Sequence, residues 1–393
     1  MKNTVNMLLV VLISFAATVE SQTKQIIGYY PSWKWKAERS LMSPDKIPFD
    51  KLTMINYAFF YPLPDGHLVG RDTVGDALIL RGGSGSRGGS ARQGLASLAH
   101  RYGVKVVLSV GGWEDSNNFP QVASNEEGRV QFAHSCLEQI RAYDFDGIDI
   151  DWEYPGYTDH RGMPSDKKNF TRLLRTVRDS LSEYGRERVT KYLLTAALPA
   201  SGPILANYEM DSIAAIVDAL NIMTYDFNGP WDSLSGHNAP LYAPRTNDTS
   251  RNVDASFRFY TQTLKIPAAK INLGVPFYGH SYSNCTALYC AHSGADTVHF
   301  SDAEMSYCDL VPMLHQCIRM WDDRAKAPYL ICRDWRTLIS YDDEQSVREK
   351  ANYVLDHNAG GLIIWEITGD YLPDGTSPLL DVIASAFRFP AGH

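Results

Sequence analysis

Eight short apolar runs, each bounded by turn-forming residues, recur along the chain: Gln25–Tyr30, Thr53–Tyr61, Val104–Val110, Gly147–Trp152, Tyr192–Leu198, Leu220–Tyr225, Lys270–Phe277 and Gly361–Trp365. Most are almost continuously apolar, as strands of a parallel sheet covered on both faces should be. Amphipathic segments lie between them, among them Glu126–Tyr143, Ser165–Tyr184 and Asp254–Leu264. These predict helices, with Ser165 placed to cap the second and Asn169-Phe170 opening its apolar stripe. Strand and helix repeated eight times predict an α/β fold, a (β/α)8 TIM barrel. An open doubly wound sheet is the alternative, but no glycine fingerprint for phosphate follows the first strand.

One run breaks the apolar rule. In Asp146-Gly147-Ile148-Asp149-Ile150-Asp151-Trp152-Glu153, strand alternation puts Asp149, Asp151 and Glu153 on one face and Ile148, Ile150 and Trp152 on the other. The second face is expected to be buried and the acidic face to line a chemically active space. Carboxylates two residues apart sit about 6–7 Å apart at the backbone. Like charges that close resist joint ionisation, so at least one pKa should rise, which suits a proton donor near neutral pH. Asp146 has the opposite parity and should act from the start of the strand. A calcium site is the competing reading, but it needs a glycine-bent, oxygen-rich loop rather than acids alternating with apolar residues.

Two stretches interrupt the rhythm. Pro62 to Gly94 contains Arg81-Gly82-Gly83-Ser84-Gly85-Ser86-Arg87-Gly88-Gly89-Ser90, the composition of a flexible loop. The second, residues 283–341, is too long for a βα loop and predicts a small α+β subdomain inserted at the barrel mouth. The barrel would then comprise residues 22–282 and 342–393.

Lys2 followed by the apolar run Met7 to Ala17 has the form of a secretory signal peptide, residues 1–21, too short to span a bilayer. An exported protein is expected, with no membrane segment. The net charge of −8 and the lack of a long basic run argue against nucleic acid as a partner. Five of six cysteines fall in the insertion, and Cys285–Cys290 is a plausible short bridge, while Cys136 lies alone on a predicted outer helix. No paired spacing suggests zinc. Asn169, Asn247 and Asn284 stand in glycosylation patterns that matter only in a eukaryotic source.

Barrel enzymes place chemistry at the C-terminal ends of the strands. Here those ends read Tyr29-Tyr30-Pro31-Ser32-Trp33, Phe59-Phe60-Tyr61, Ser109-Val110-Gly111-Gly112-Trp113, Asp151-Trp152-Glu153-Tyr154, Ala196-Ala197-Leu198-Pro199, Met223-Thr224-Tyr225-Asp226-Phe227, Pro276-Phe277-Tyr278-Gly279 and Trp365-Glu366. One acidic cluster is ringed by aromatics. Flat apolar rings with polar edges suit a carbohydrate, whose faces are apolar and whose rim carries hydroxyls.

The chain resembles glycoside hydrolase family 18, the chitinases and their relatives. Asp146 to Glu153 matches the family's D-x-x-D-x-D-x-E signature. Ser109-Val110-Gly111-Gly112, Met223-Thr224-Tyr225-Asp226 and Trp365-Glu366 match its motifs on strands three, six and eight. The resemblance implies Glu153 as general acid and then base, Asp151 as its partner that swings to orient the substrate acetamido group, and Asp149 behind it, sharing a proton. It implies that Tyr225 binds the acetamido carbonyl, that Asp226 assists, and that Trp365 forms the floor. Trp113, Trp231, Tyr29, Phe60, Tyr154, Met223 and Tyr278 would line the groove. Family members of this kind need no second carboxylate at about 5.5 Å, because the substrate's own acetamido oxygen attacks. The implied substrate is chitin or chito-oligosaccharides, with no metal or organic cofactor, and a monomer is expected. Many relatives carry arginine after the strand-seven glycine; this chain has Tyr278-Gly279-His280, and the histidine reads as a loop residue. A chitin-binding lectin of the same fold and an endo-β-N-acetylglucosaminidase on N-glycans compete. Retention of Glu153 argues against the first, and the long insertion with its Trp-rich groove against the second.

Overall fold

The computed structural model describes residues 23–36, 43–83, 92–200, 202–245, 249–300 and 304–388. The signal-peptide stretch, Asn247 and most of the Gly-Ser run lie outside the described residues. Parallel strands β1 (Gln25–Pro31), β2 (Met54–Pro62), β4 (Lys105–Gly111), β5 (Gly147–Asp151), β6 (Leu193–Pro199), β7 (Ala219–Met223), β8 (Ile271–Pro276) and β14 (Gly361–Trp365) form the ring, with β3 (Leu68–Gly70) added antiparallel to β2. Their order is β1-β14-β8-β7-β6-β5-β4-β2, and the β1–β2 pairing closes it. This is the expected (β/α)8 barrel.

Helices fill the outer layer for the reason their patterns gave. Asp166–Arg188 buries Phe170, Leu173, Leu174, Val177, Leu181 and Tyr184, a stripe at three- and four-residue spacing. Ser165 occupies the N-cap position but its side chain makes no cap bond. Asp166 braces this entry instead, accepting from the Met163 and Gly156 amides. The third expected helix starts one residue early, at Val253 under an Asn252 cap, and ends in a π turn, Phe259–Thr263.

The Pro62–Gly94 stretch is more ordered than its composition implied, holding β3 and a helix, Thr73–Arg81. Buried Asp76 ties that helix to the barrel by accepting from the Tyr57 hydroxyl at 2.6 Å. After β8 comes an antiparallel sheet of β9 (Tyr278–Ser283), β10 (Glu304–Ser306), β11 (Ile318–Asp322), β12 (Ala327–Cys332) and β13 (Thr337–Ser340), ordered β10-β9-β13-β12-β11. It carries the disulfides Cys285–Cys290 and Cys317–Cys332; Cys136 and Cys308 are in neither. Among the described residues no helix is long and apolar enough to cross a membrane.

Two cores result. The outer one, between strands and helices, takes Ile148, Ile150 and Trp152. The inner one, small and apolar, holds Ile27, Tyr29, Met54, Ala58, Phe59, Val107 and Ile363. Beside it the barrel interior is polar: Asn56, Ser109, Asp149, Thr195, Asn221 and Asn272 are all buried.

Candidate active site

The site grows from β5. Its alternation is as the pattern required, with the isoleucines and Trp152 packed outward. Trp152 stacks on Phe119 with centroids 5.2 Å apart and meets Phe170 edge-on at 5.7 Å. That packing fixes the strand's rotation, so Asp149 and Asp151 point inward. Asp146 closes the opposite end, accepting from the Val106 amide at 2.7 Å and contacting His100 Nε2 at 2.9 Å.

Asp149 is held by four donors. Tyr29 Oη and Ser109 Oγ donate to Oδ2 at 2.9 and 2.8 Å; Thr195 Oγ1 and Asn221 Nδ2 donate to Oδ1 at 2.5 and 3.1 Å. Ser109 and Thr195 are its register partners on β4 and β6. Asn221 is itself fixed by Asn272 on β8 at 3.0 Å. Burial pushes the Asp149 pKa up and the four hydrogen bonds oppose that rise.

Asp151, only 4% exposed, is the opposite case. Its Oδ1 is buried with no hydrogen-bond partner. Burial first, then the charges of Glu153 and Asp149, hold its pKa well above the usual carboxylate range. Among the described residues no hydrogen bond joins it to Glu153. Glu153 lies just beyond the strand. Its pKa is raised to about 7, mainly by burial, helped by Asp226 and Glu304 and opposed by a hydrogen bond from the Tyr154 hydroxyl. Both acids are therefore shifted upward as the spacing implied, but desolvation outweighs the like-charge repulsion from which the shift was expected.

The backbone around Glu153 is fixed from two sides. Its amide donates to Ser116 Oγ at 2.9 Å, and its carbonyl accepts from His160 Nδ1 at 2.6 Å. The glycine pair after β4 makes the approach feasible. Gly111 has φ +118°, and a Cβ there would lie 2.1 Å from the Asp151 carbonyl; at Gly112, φ +86°, it would strike the Phe59 ring. The Gly112 amide can then donate to the Asp151 carbonyl at 2.8 Å.

Across the mouth, Tyr225 stands half-buried with its hydroxyl kept protonated by burial and by the charges of Asp151, Glu153 and Asp226. Asp226 Oδ1 accepts from the Tyr278 hydroxyl at 2.6 Å and contacts His280 Nε2 at 2.8 Å. His280 is no loop residue: it is the third residue of β9 and fully buried. Trp365 packs on the inner core, stacked on Phe59 at 5.6 Å and tilted against Tyr29 at 5.7 Å. Trp33 extends this surface, 6.0 Å from Phe59.

Phe60, expected in the groove, is not there. It packs outward against Tyr57 and Tyr143 in the helix-facing core. The β2–β4 register shifts between Tyr57 and Phe60, so Ala58 and Phe59 both turn inward and the alternation is lost. Trp113 is about half exposed and joins Tyr154, Tyr157 and His160 in a separate aromatic group, centroids 4.5 to 6.3 Å away. Trp231 is exposed and sets its edge against His280 at 5.1 Å. Met223 is half-buried at the end of β7.

Sequence reasoning missed Phe59, Trp33, Ser116, His160 and Tyr208. Tyr208 has a buried, unpartnered hydroxyl and electrostatic contact with Glu153 and Asp151. Phe59 stands at the expected end of β2, beside the Phe60 that the resemblance pointed to. Ser116 and Tyr208 sit on loops and His160 ends a 3-10 turn, Thr158–His160, with no pattern to mark them. No group of three or more potential metal ligands occurs among the described residues. An open cavity of about 710 Å³ lies at the other end of the barrel, lined by Arg178, Lys191, Asp218 and Lys270 among others. Three of its cations are committed, Arg178 and Lys191 to Asp218 and Lys270 to the Ala214 and Val217 carbonyls, and it is far from this chemistry.

The sequence profile described as glycosyl hydrolases family 18 matches residues 25–370. The chain belongs to this family. It is 36% identical over 428 residues to Chitinase A1 of Niallia circulans, covering 93% of this chain and 60% of that one. The chain thus spans about three-fifths of the length of the first curated relatives it matches. Chitinase ChiA74 from Bacillus thuringiensis superposes with a TM-score of 0.82 at 32% identity, covering 95% of this chain and 71% of that chain. A mutant of Ostrinia furnacalis Group II chitinase catalytic domain 2, solved in complex with penta-N-acetylchitooctaose, gives 0.83 at 25% identity over 94% of this chain and 98% of that one.

Proposed function

We propose that this glycosyl hydrolase is an exported chitinase that cleaves β-1,4 bonds between N-acetylglucosamine units with retention, using the substrate's acetamido group as nucleophile. The observation that carries this reading is Asp151: a buried carboxyl with an unpartnered oxygen, between the four-donor Asp149 and the proton-holding Glu153. Such an oxygen needs a donor or a developing positive charge, and an acetamido N–H turning into an oxazolinium supplies both.

In this reading the sugar at the cleavage point rests on Trp365. Glu153, protonated up to about pH 7, gives its proton to the glycosidic oxygen. The Tyr225 hydroxyl binds the acetamido carbonyl and aims its oxygen at the anomeric carbon, gaining from proximity. Asp151 takes the N–H as charge develops, and Asp149 stays behind it as a fixed negative neighbour. Water, activated by the Glu153 carboxylate, then opens the oxazolinium. The substrate supplies the nucleophile, so no metal or organic cofactor enters these steps. Asp226 assists by orienting Tyr225. Tyr29, Tyr154, Trp113, Trp231, Met223 and Tyr278 line the groove, Phe59 replacing Phe60. Residues 283–341 form an inserted subdomain that walls the cleft, and residues 1–21 direct export. The relatives' names support this reading, and chito-oligosaccharide is the ligand of one neighbour.

The test is Glu153→Gln assayed on N-acetylglucosamine oligomers beside a biantennary N-glycan. The wild type should release chitobiose from the oligomers, and the variant should bind them without turnover. Near wild-type turnover by the variant would remove Glu153 from its role. Cleavage of the glycan core alone would replace the substrate assignment.

A further inference from the structure

Both ties on the Glu153 backbone lead to the turn that carries Trp113. On the amide side the acceptor is Ser116, which directly follows the 3-10 turn Trp113–Asp115. Ser116 Oγ in turn donates to the Gly112 carbonyl at 2.9 Å, so it is locked to the residue before the tryptophan. On the carbonyl side the donor is His160 Nδ1 at 2.6 Å, and the same imidazole packs edge-on against the Trp113 ring, centroids 4.5 Å apart. That separation is at the close end of the range for aromatic pairs. A carbonyl oxygen only accepts, so Nδ1 carries a hydrogen whether the ring is neutral or charged. The link therefore does not depend on the protonation state of His160.

The loop between Glu153 and His160 is tied down along its length. The Tyr157 amide donates to the Tyr154 carbonyl at 3.0 Å, and the His160 and Gly162 amides donate to the Tyr157 carbonyl at 3.1 and 2.8 Å. Asn207 Nδ2 holds the Pro155 carbonyl at 2.9 Å. The Tyr157 ring completes the group, 5.6 Å from Trp113 and 5.3 Å from His160 between centroids. A loop held at so many points moves as one piece. The imidazole is thus placed by two contacts, the Trp113 ring on one side and the Glu153 carbonyl on the other. Trp113 is itself about half exposed, so a sugar ring can cover it and hold the indole in one place.

We propose that His160 is a positioning residue that couples the Trp113 ring to the general acid. A sugar seated on Trp113 steadies the imidazole, and the imidazole steadies the Glu153 backbone where the carboxyl can reach the glycosidic oxygen. Chains long enough to cover Trp113 are then cleaved faster as well as bound more tightly, because contacts made away from the reacting bond improve orientation at it. The inference rests on the reaction proposed above.

The test is the single-turnover cleavage rate, measured with enzyme in excess on N-acetylglucosamine oligomers from trimer to hexamer, with thermal melting as a check on folding. The wild-type rate should rise with length. Trp113→Ala should lower the hexamer-to-trimer ratio of rates by about threefold or more. His160→Asn keeps an N–H donor in place of Nδ1 but has no ring to pack on Trp113, and it should lower that ratio by the same factor. The double variant should add little to either, because both changes act through one contact. His160→Phe keeps a ring without the donor and should slow every length by about two- to tenfold, the effect of one lost hydrogen bond. A wild-type rate independent of length overturns the inference. So does a wild-type ratio in His160→Asn, or full additivity of Trp113→Ala and His160→Asn. Loss by one factor at all lengths in His160→Asn, in step with a lowered melting temperature, would mean a structural role only and also overturns it. If His160→Phe does not fold, the other variants still decide. Wild-type inactivity on every oligomer would overturn the proposed reaction itself, whereas activity with any of the other contrary results overturns only the role of His160.

Discussion

Replacing Thr195 with valine tests whether Asp149 is a charged anchor. The side chains are nearly isosteric, and Thr195 is buried, so the change removes one hydroxyl and little else. That hydroxyl makes the shortest of the four bonds to Asp149, 2.5 Å, in the range of a charge-assisted O–H···O⁻ contact. Losing a hydrogen bond to a charged group costs about 1.5–3 kcal/mol, against about 1 kcal/mol for a neutral one. The difference, about 0.5–2 kcal/mol, divided by 1.36 kcal/mol per unit raises the Asp149 pKa by roughly half a unit to one and a half units. The sign follows from linkage. The folded-state pKa of Asp149 already lies above its unfolded value, so the native state binds more protons and stability falls as pH rises between those two values. The valine variant widens that window. Urea unfolding at pH 4 and pH 7 should therefore show the larger loss at pH 7, where the bond is to a carboxylate. Equal losses at both pH values would mean that Asp149 is protonated throughout and would refute its role as the fixed charge behind Asp151.

The alkaline limb of the kcat/KM profile should lie near pH 7, where Glu153, the proposed general acid, loses its proton; a limb above 9 would exclude Glu153 as the donor. Phe59→Ala should weaken oligosaccharide binding by undercutting Trp365, while Phe60→Ala should cost about 3–5 kcal/mol of stability as an outer-core deletion with binding intact once folded. Titration calorimetry and urea melts on the pair would show the reverse if the register shift in β2 were misplaced. Gly111→Ala should destabilise the protein and depress kcat, because its Cβ would overlap the Asp151 carbonyl; wild-type values for both would contradict that close approach.

The barrel was legible because its strands are apolar runs at regular intervals, and β5 because alternation held through Trp152. Alternation failed at β2, where a register irregularity that no residue type announces turned Phe59 inward and Phe60 outward. His280 was misread for a related reason. Its neighbours in sequence resemble a strand end, and only the sheet beyond β8 makes it a strand interior residue facing Asp226. The donors to Asp149 come from four other strands, 40 to 120 residues away in sequence, separations that no local pattern encodes; only closure of the ring brings them to one carboxylate. Loop residues such as Ser116 and His160 act through the Glu153 backbone, which sequence motifs do not encode.

The central claim is that the substrate provides its own nucleophile. It is tested by matched oligomers that differ only at the cleavage-site sugar, carrying either the 2-acetamido group or a hydroxyl, with the product anomer followed by NMR in the first minutes. The account predicts a β-anomeric first product from the acetamido oligomer and no cleavage of its hydroxyl counterpart. Comparable cleavage of both, or an α-anomeric first product, would contradict it.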